Sequence, residues 1–147
     1  MKTRTRLTLL LGLFTSCFAI TSAALGLEVS VNGLRNTQGN IVVCLWRAND
    51  QGFPNCSKGQ PWKTLSAPAS QPLVAFKNLP AGTYAVSMFH DEKLLGRPET
   101  NFMGMPLSGV GLANNPSIGP MSPPTFQKGR VDVPATRQLT ITAKYLF

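Results

Sequence analysis

Chain breakers are unusually dense in this sequence and limit what it can fold into. Twelve Pro and 13 Gly occur among 147 residues, and both residue types disrupt helices, Pro by removing a backbone donor and Gly by its entropy cost. This density disfavours a helical bundle and favours short strands joined by turns. Hydrophobic residues make up 43%, which excludes intrinsic disorder. The length suits one domain rather than two.

The first 24 residues have the three parts of a secretory signal peptide. A basic start is followed by an apolar run over residues 7–20, and residues 22–24 supply the small side chains that signal peptidase reads. We therefore predict cleavage before Leu25. Export would leave a mature domain of residues 25–147 in the periplasm or outside the cell.

Two other interpretations of the N-terminus stay open. An uncleaved anchor helix would need about 20 apolar residues, and the run is shorter. A lipid could be attached at Cys17, which would make the protein a lipoprotein, although residues 14–17 match the lipoprotein box poorly. After cleavage, no transmembrane segment is expected.

The mature chain carries a modest positive charge. Cleavage removes three of the 14 basic residues and none of the six acidic ones, so the formal charge falls from +8 to +5. The basic residues stand singly and do not alternate with aromatic residues, which argues against nucleic-acid binding. A mild attraction to anionic envelope polymers or lipid is what this charge supports.

Two cysteines remain after cleavage. Cys44 and Cys56 form an even pair in an oxidising compartment, which predicts a disulfide. The bridge would close a 13-residue loop, worth about 3 kcal/mol in chain entropy. A zinc site is disfavoured, because two Cys and one His are too few ligands without help from carboxylates.

Short apolar or alternating runs predict strands along the mature chain. They cover residues 27–32, 41–46, 73–76, 83–90, 109–112, 129–133 and 139–147. No helix is evident after the signal peptide. We predict an all-β fold, a single Ig-like or transthyretin-like β-sandwich of about seven short strands. One long Gly/Pro-rich loop, over residues 91–126, interrupts it.

Two segments carry a resemblance to known families. Residues 79–86 resemble the turn and strand of transthyretin-like sandwich modules, in which Gly82 permits the turn and Tyr84 packs inward. A longer series is more specific, and it consists of His90-Asp91-Glu92, Gly96, Asn101, Gly104, Pro106, Gly109, Gly111 and Asn114-Asn115. It resembles the bacterial domain-of-unknown-function family 2141, a set of small exported proteins. The resemblance covers essentially the whole mature chain and implies an exported β-sandwich, with no activity to carry over.

The sequence departs from that family's pattern at several positions. Lys93 and Leu95 stand where the family has Asn, Glu99 stands for Asp, Ser108 for Glu, and residues 112–113 for Phe-Ser. If the family loop binds a cation through its Asp and Asn oxygens, this chain has lost several of the ligands.

The same loop is nevertheless the one candidate metal site. Asp91, Glu92, Glu99 and Asn101 offer oxygen donors, and Gly96 lies where a calcium-binding loop needs its glycine. A cation and an aliphatic side chain occupy the third and fifth positions of that loop. The alternative is that these side chains cap backbone amides or pair with nearby cations, and no cofactor is then expected.

His90 is the one histidine and the candidate centre of a small hydrolase. Asp91 is adjacent in sequence and would point to the opposite face of a strand, so it does not orient the imidazole as a catalytic triad requires. Cys44 and Cys56 are predicted to be oxidised and therefore unable to act as nucleophiles. A structural, half-buried histidine that hydrogen-bonds the long loop is the preferred interpretation.

Aromatic and apolar residues outside the strands are candidate binding surfaces. Trp46, Trp62, Phe53 and Tyr84 could form a platform for sugars, although the position of Trp46 on an apolar strand favours the core. The apolar run at residues 102–107 could bind a partner or fold down over one end of the sandwich.

The sequence therefore predicts an exported, non-catalytic module, a monomer, that binds an envelope component, a partner protein or a glycan. Its candidate binding residues are His90, Asp91, Glu92, Glu99, Asn101 and Trp62. Calcium binding through residues 91–101 and hydrolysis centred on His90 are the alternatives.

Overall fold

The computed structural model describes residues 25–119 and 121–147, which form eight strands and one 3-10 helix. The strands are β1 (Gly26–Asn32), β2 (Asn40–Trp46), β3 (Lys63–Pro68), β4 (Leu73–Lys77), β5 (Gly82–Asp91), β6 (Val110–Leu112), β7 (Arg130–Val133) and β8 (Gln138–Thr142). The 3-10 helix, η1 (Phe126–Gly129), leads into β7. The predicted signal peptide, its cleavage site and the lipidation alternative at Cys17 lie outside the described residues.

The strands form a β-sandwich of two sheets. The smaller sheet has the order β4-β1-β8, in which β1 pairs antiparallel with β4 and parallel with β8. The larger sheet has the order β3-β2-β5-β6. Strand β5 is long enough for two partners on one edge, because β7 pairs with its first half and β6 with its second half. The predicted all-β sandwich is confirmed.

The main core lies between the two sheets and follows from strand alternation. Every second residue of β1, β2, β5 and β8 points to the opposite sheet, and these positions hold aliphatic or aromatic side chains. Val29, Ile41, Val43, Val86 and Ile141 are among those removed completely from solvent. Burial of such side chains is the main term that holds the two sheets together.

A second, smaller core covers the outer face of the larger sheet. Cys44, Trp46 and Ala85 point away from the main core, and Phe53 and Phe126 pack over them. The Cys44–Cys56 disulfide, with its Cα atoms 5.9 Å apart, attaches the loop after β2 to this face. The central strands of the larger sheet, β2 and β5, are therefore buried on both faces along much of their length.

The predicted strands are confirmed with two differences. Strand β3 had not been predicted, because its sequence alternates only weakly and its residues are half-buried or exposed. The last predicted strand ends at Thr142 instead of reaching residue 147. The Ala143 N–H still donates to the Asn32 oxygen of β1. The chain then leaves β1, and Lys144 forms an isolated antiparallel bridge with Val110 of the other sheet.

Two glycines permit this crossing of the C-terminal segment. A side chain at Gly109 would meet the Tyr145 ring, with its Cβ only 2.6 Å from Cζ. A side chain at Gly111 would collide with Ile141. The Gly-x-Gly pattern of the sequence is therefore explained by close approach of β6 to the C-terminal segment. Among the residues described, no helix is long and apolar enough to span a membrane.

Candidate ligand-binding site

An apolar cleft of about 360 Å³ lies against β5 and β6, next to the small outer core. The loop at residues 54–56 forms one wall, and residues 98–106, 118–119 and 123–124 close over the other sides. Phe89 and Leu112 belong to the strands that line it. This volume is within the range of about 300–1,000 Å³ that small-molecule sites occupy.

The walls of the cleft offer hydrocarbon and few hydrogen-bonding groups. Asn55 and Thr100 are the polar side chains among the described lining residues, and Cys56 is part of the disulfide. The Asn55 side-chain oxygen already accepts hydrogen bonds from Ser57 and Lys58 within its own turn. A polar ligand would lose hydrogen bonds to water here without replacing them.

The loop over the cleft is held by the side chains that the sequence singled out as calcium ligands. The Asp91 carboxylate accepts hydrogen bonds from the backbone N–H groups of Leu95 (2.8 Å) and Gly96 (2.7 Å). The Asn101 Oδ1 atom accepts from the N–H groups of Met103 and Met105, at 3.0 Å each. Both side chains therefore shape turns.

The two glutamates of the candidate calcium site pair with cations. Glu92 binds Arg35 through two hydrogen bonds of 2.6 and 3.1 Å, and Glu99 lies 2.8 Å from Lys93 Nζ. Within residues 25–119 and 121–147, no three His, Cys, Asp or Glu side chains are grouped so that they could hold a metal ion. The four candidate ligands instead each stabilise part of the loop.

His90 is fully buried, more deeply than predicted, and is not among the residues that line the cleft. Its Nε2 atom lies 2.8 Å from the backbone oxygen of Gln38, which can only accept, so Nε2 carries the proton. In the neutral ring, Nδ1 accepts from the Tyr145 hydroxyl at 2.8 Å, whose oxygen accepts the Arg35 N–H. The ring thereby links the β1–β2 turn to the C-terminal segment.

The ion pair beside His90 makes the stability of this region sensitive to pH. The hydrogen bond from Arg35 lowers the pKa of Glu92 below its ordinary value of 4.5 and outweighs the opposing effect of burial. A carboxyl group whose pKa is lower in the folded state stabilises the fold above its ordinary pKa. That stabilisation is lost as the pH falls through the lowered value.

We expect Glu92→Gln to reduce the melting temperature most at neutral pH. The deficit should narrow as the pH falls from 4.5 through the lowered pKa of Glu92, because below that lowered pKa the wild-type carboxylate is protonated and loses the same interaction. Thermal denaturation followed by circular dichroism between about pH 3 and pH 7 measures the difference. Glu28→Gln is the control, since Glu28 bonds the neutral Gln138 side chain. A deficit independent of pH would contradict the ion-pair argument.

The four aromatic residues considered as a sugar platform do not form one surface. Trp46 is in the outer core with Phe53 at its edge. Trp62 stacks on Tyr84, with ring centroids 5.5 Å apart and planes at 9°, and Lys63 Nζ lies over the Trp62 ring at 4.8 Å from its centroid. Trp62 does not line the cleft.

Sequence reasoning identified one wall of the cleft and missed the others. The apolar run at residues 102–107 was considered as a partner surface or a cap, and it contributes Gly104, Met105 and Pro106 to the lining. The remaining walls come from residues 54–56, 118–119 and 123–124 and from Leu146, which only the folded chain brings together. The Pro-rich composition of 116–124 was the available signal.

Comparison with models of known protein families gives a match over most of the chain. The model of a family described as "Uncharacterized protein conserved in bacteria (DUF2141)" matches residues 29–142, a span that begins within β1 and ends with β8. No curated protein and no solved structure matches the chain.

Proposed function

The chain belongs to the DUF2141 family of uncharacterised bacterial proteins, and we propose that it is an exported, non-catalytic protein that binds an apolar component of the cell envelope. The observation that carries this proposal is the cleft of about 360 Å³ against β5 and β6. Its walls are formed by several separate segments of the chain.

The chemistry of the cleft favours an apolar ligand over a glycan. Sugar hydroxyls need several hydrogen-bonding partners and often an exposed aromatic face. The lining offers Thr100 as a polar side chain that is not engaged in its own turn, and Trp62 lies elsewhere with its ring contacted by Tyr84 and Lys63. An apolar ligand needs no hydrogen-bonding partners, and the transfer of its surface from water into the cleft is favourable.

Two observations support export. The Cys44–Cys56 disulfide fits an oxidising compartment, and the N-terminal 24 residues have the pattern of a signal peptide. A non-catalytic role is supported by the surroundings of His90, because both of its ring nitrogens hold structural hydrogen bonds. Cys44 and Cys56 are joined to each other and offer no free thiol.

We expect the mature protein, purified with its disulfide intact, to bind the apolar dye Nile red and to raise its fluorescence. Ile118→Trp places a larger side chain in the cleft wall and should weaken binding by about tenfold or more. Fluorescence titration measures the affinity, and dodecanoate should displace the dye whereas maltose should not.

The matched control is Leu73→Trp, which adds the same indole to an exposed position of the smaller sheet. It should bind the dye as the wild type does. Equal affinity in the wild type and Ile118→Trp, at unchanged melting temperature, would show that the dye binds elsewhere. Displacement by maltose would point to a glycan site.

A further inference from the structure

The rim of the cleft carries large hydrophobic side chains that solvent surrounds. Phe102 is 96% exposed and Met121 is 97% exposed, and Met103 and Phe147 are exposed by 65% and 61%. Each of these four lies within two residues of a residue that lines the cleft, namely Gly104, Gly119, Pro123 or Leu146. We call these four residues the rim cluster. Apolar groups in such numbers around one opening indicate an interaction surface.

Hydrogen bonds hold the two loop tips of the rim cluster in place. Phe102 and Met103 lie in a turn that the Asn101 side chain organises, and Thr100 and Pro106 form a bridge below it. Met121 lies between Gly119 and Ser122, which exchange two backbone hydrogen bonds. The exposed side chains are therefore presented by formed turns.

The charge of the domain favours an anionic surface. All six acidic residues are in the described part of the chain, and four of them pair with Arg35, Arg47, Lys93 or Arg130. Seven described basic residues have no acidic partner, and they are Lys58, Lys63, Lys77, Arg97, Lys128, Arg137 and Lys144. Arg97 is exposed and directly precedes Pro98 of the cleft wall.

We infer that the rim cluster docks on the surface of an anionic lipid bilayer and that the cleft takes up a lipid acyl chain there. This inference rests on the proposed apolar-ligand function and names both the ligand and its source. Separated apolar tips, the exposed Arg97 beside the cleft wall and the net positive charge of the domain match the interface of an anionic membrane, where apolar side chains enter the acyl boundary and cations attract headgroups. The open hydrocarbon cleft between the tips continues the same apolar surface inward.

The test is cosedimentation of the mature protein with vesicles of phosphatidylglycerol and phosphatidylcholine. We expect binding that weakens when sodium chloride is raised from about 0.05 M to about 0.5 M, and weaker binding to vesicles of phosphatidylcholine alone. Phe102→Asp should weaken binding to the anionic vesicles by about tenfold or more, the effect of withdrawing one buried aromatic side chain. Leu73→Asp, at a 50% exposed position on β4, is the control and should bind as the wild type does.

Nile red binding in vesicle-free solution separates this inference from the proposed function. Phe102→Asp should retain the affinity of the wild type for the dye, because Phe102 is outside the cleft lining. A wild type that binds the dye but not anionic vesicles would overturn the docking inference and leave the proposed function standing. Equal vesicle binding by Phe102→Asp and the wild type would also overturn it. Concentration-dependent self-association that Phe102→Asp abolishes, without vesicle binding, would assign the rim cluster to contact between copies of the chain.

Discussion

Replacing Trp46 by alanine is expected to lower the free energy of unfolding by about 3–5 kcal/mol. The indole is fully buried at the end of β2, with Phe53 packed edge-on at 5.5 Å between centroids. Gly59 approaches it so closely that a Cβ there would lie 2.6 Å from the indole Cη2. Because its neighbours are held by the disulfide loop, they would only partly fill the space that the indole leaves.

Trp46→Phe separates packing from hydrogen bonding at this position. The indole Nε1–H donates to Ser87 Oγ at 2.9 Å, and Ser87 donates to the backbone oxygen of Pro54 at 2.9 Å. Phenylalanine keeps most of the apolar volume and loses the first of these bonds, so we expect a loss of about 1–2 kcal/mol. Urea denaturation followed by far-ultraviolet circular dichroism measures both variants. A loss below about 1 kcal/mol for Trp46→Ala would show that the outer core contributes little to stability.

The double variant Cys44→Ala, Cys56→Ala, which lacks the disulfide, is expected to show the second large effect. Its free energy of unfolding should fall by about 3 kcal/mol, because the unfolded chain is no longer constrained by a closed loop of 13 residues. The bridge also positions a wall of the cleft, because Pro54, Asn55 and Cys56 all line it. We therefore expect Nile red affinity to fall together with stability, measured by fluorescence titration and urea denaturation on the same samples.

A matched control shows whether the effect on binding passes through the loop. Asn55→Ala removes the side chain that organises the turn at residues 55–58 but leaves the bridge intact. It should lower the dye affinity with a smaller loss of stability than the double variant. A double variant that unfolds at the same urea concentration as the wild type would contradict the stabilising role of the disulfide.

Most of the fold could be predicted because the strands of the main core have apolar or alternating sequences that are typical of strands. Strand β2 reads Asn-Ile-Val-Val-Cys-Leu-Trp, and β5 and β8 alternate between apolar and polar or small residues. Strand β3 could not be predicted in the same way. It is an edge strand held by its ladder with β2, so its own side chains need not form an apolar face.

The end of the last strand shows the limit of alternation as evidence. The alternation over residues 139–145 is real, since Ile141 and Ala143 are buried and Tyr145 is half-buried. The backbone partner changes in the middle of the run, from β1 to Val110 of the other sheet. A side-chain pattern reports which face is buried and carries no information on which strand supplies the hydrogen bonds.

The cleft was harder to predict than the fold because its walls are distant in sequence. The oxygen-bearing side chains of residues 91–101 suggested ligands for calcium. In the structure, Asp91 and Asn101 accept hydrogen bonds from backbone amides of the loop. Such capping is a common role of these side chains in turns. The sequence alone does not distinguish the apolar residues that line the cleft from those of the core, because both are the same residue types.

The parallel pairing of β1 with β8 sets an order of events during folding. Glu28 lies opposite Gln138, 110 residues later in the chain, so the smaller sheet cannot be completed before β8 has been synthesised. Contacts of such long range make folding slow, on the order of milliseconds to seconds. Leu146, just beyond β8, also lines the cleft. A chain synthesised from its N-terminus therefore cannot complete the walls of the cleft before the segment that carries β8 and Leu146 has been made.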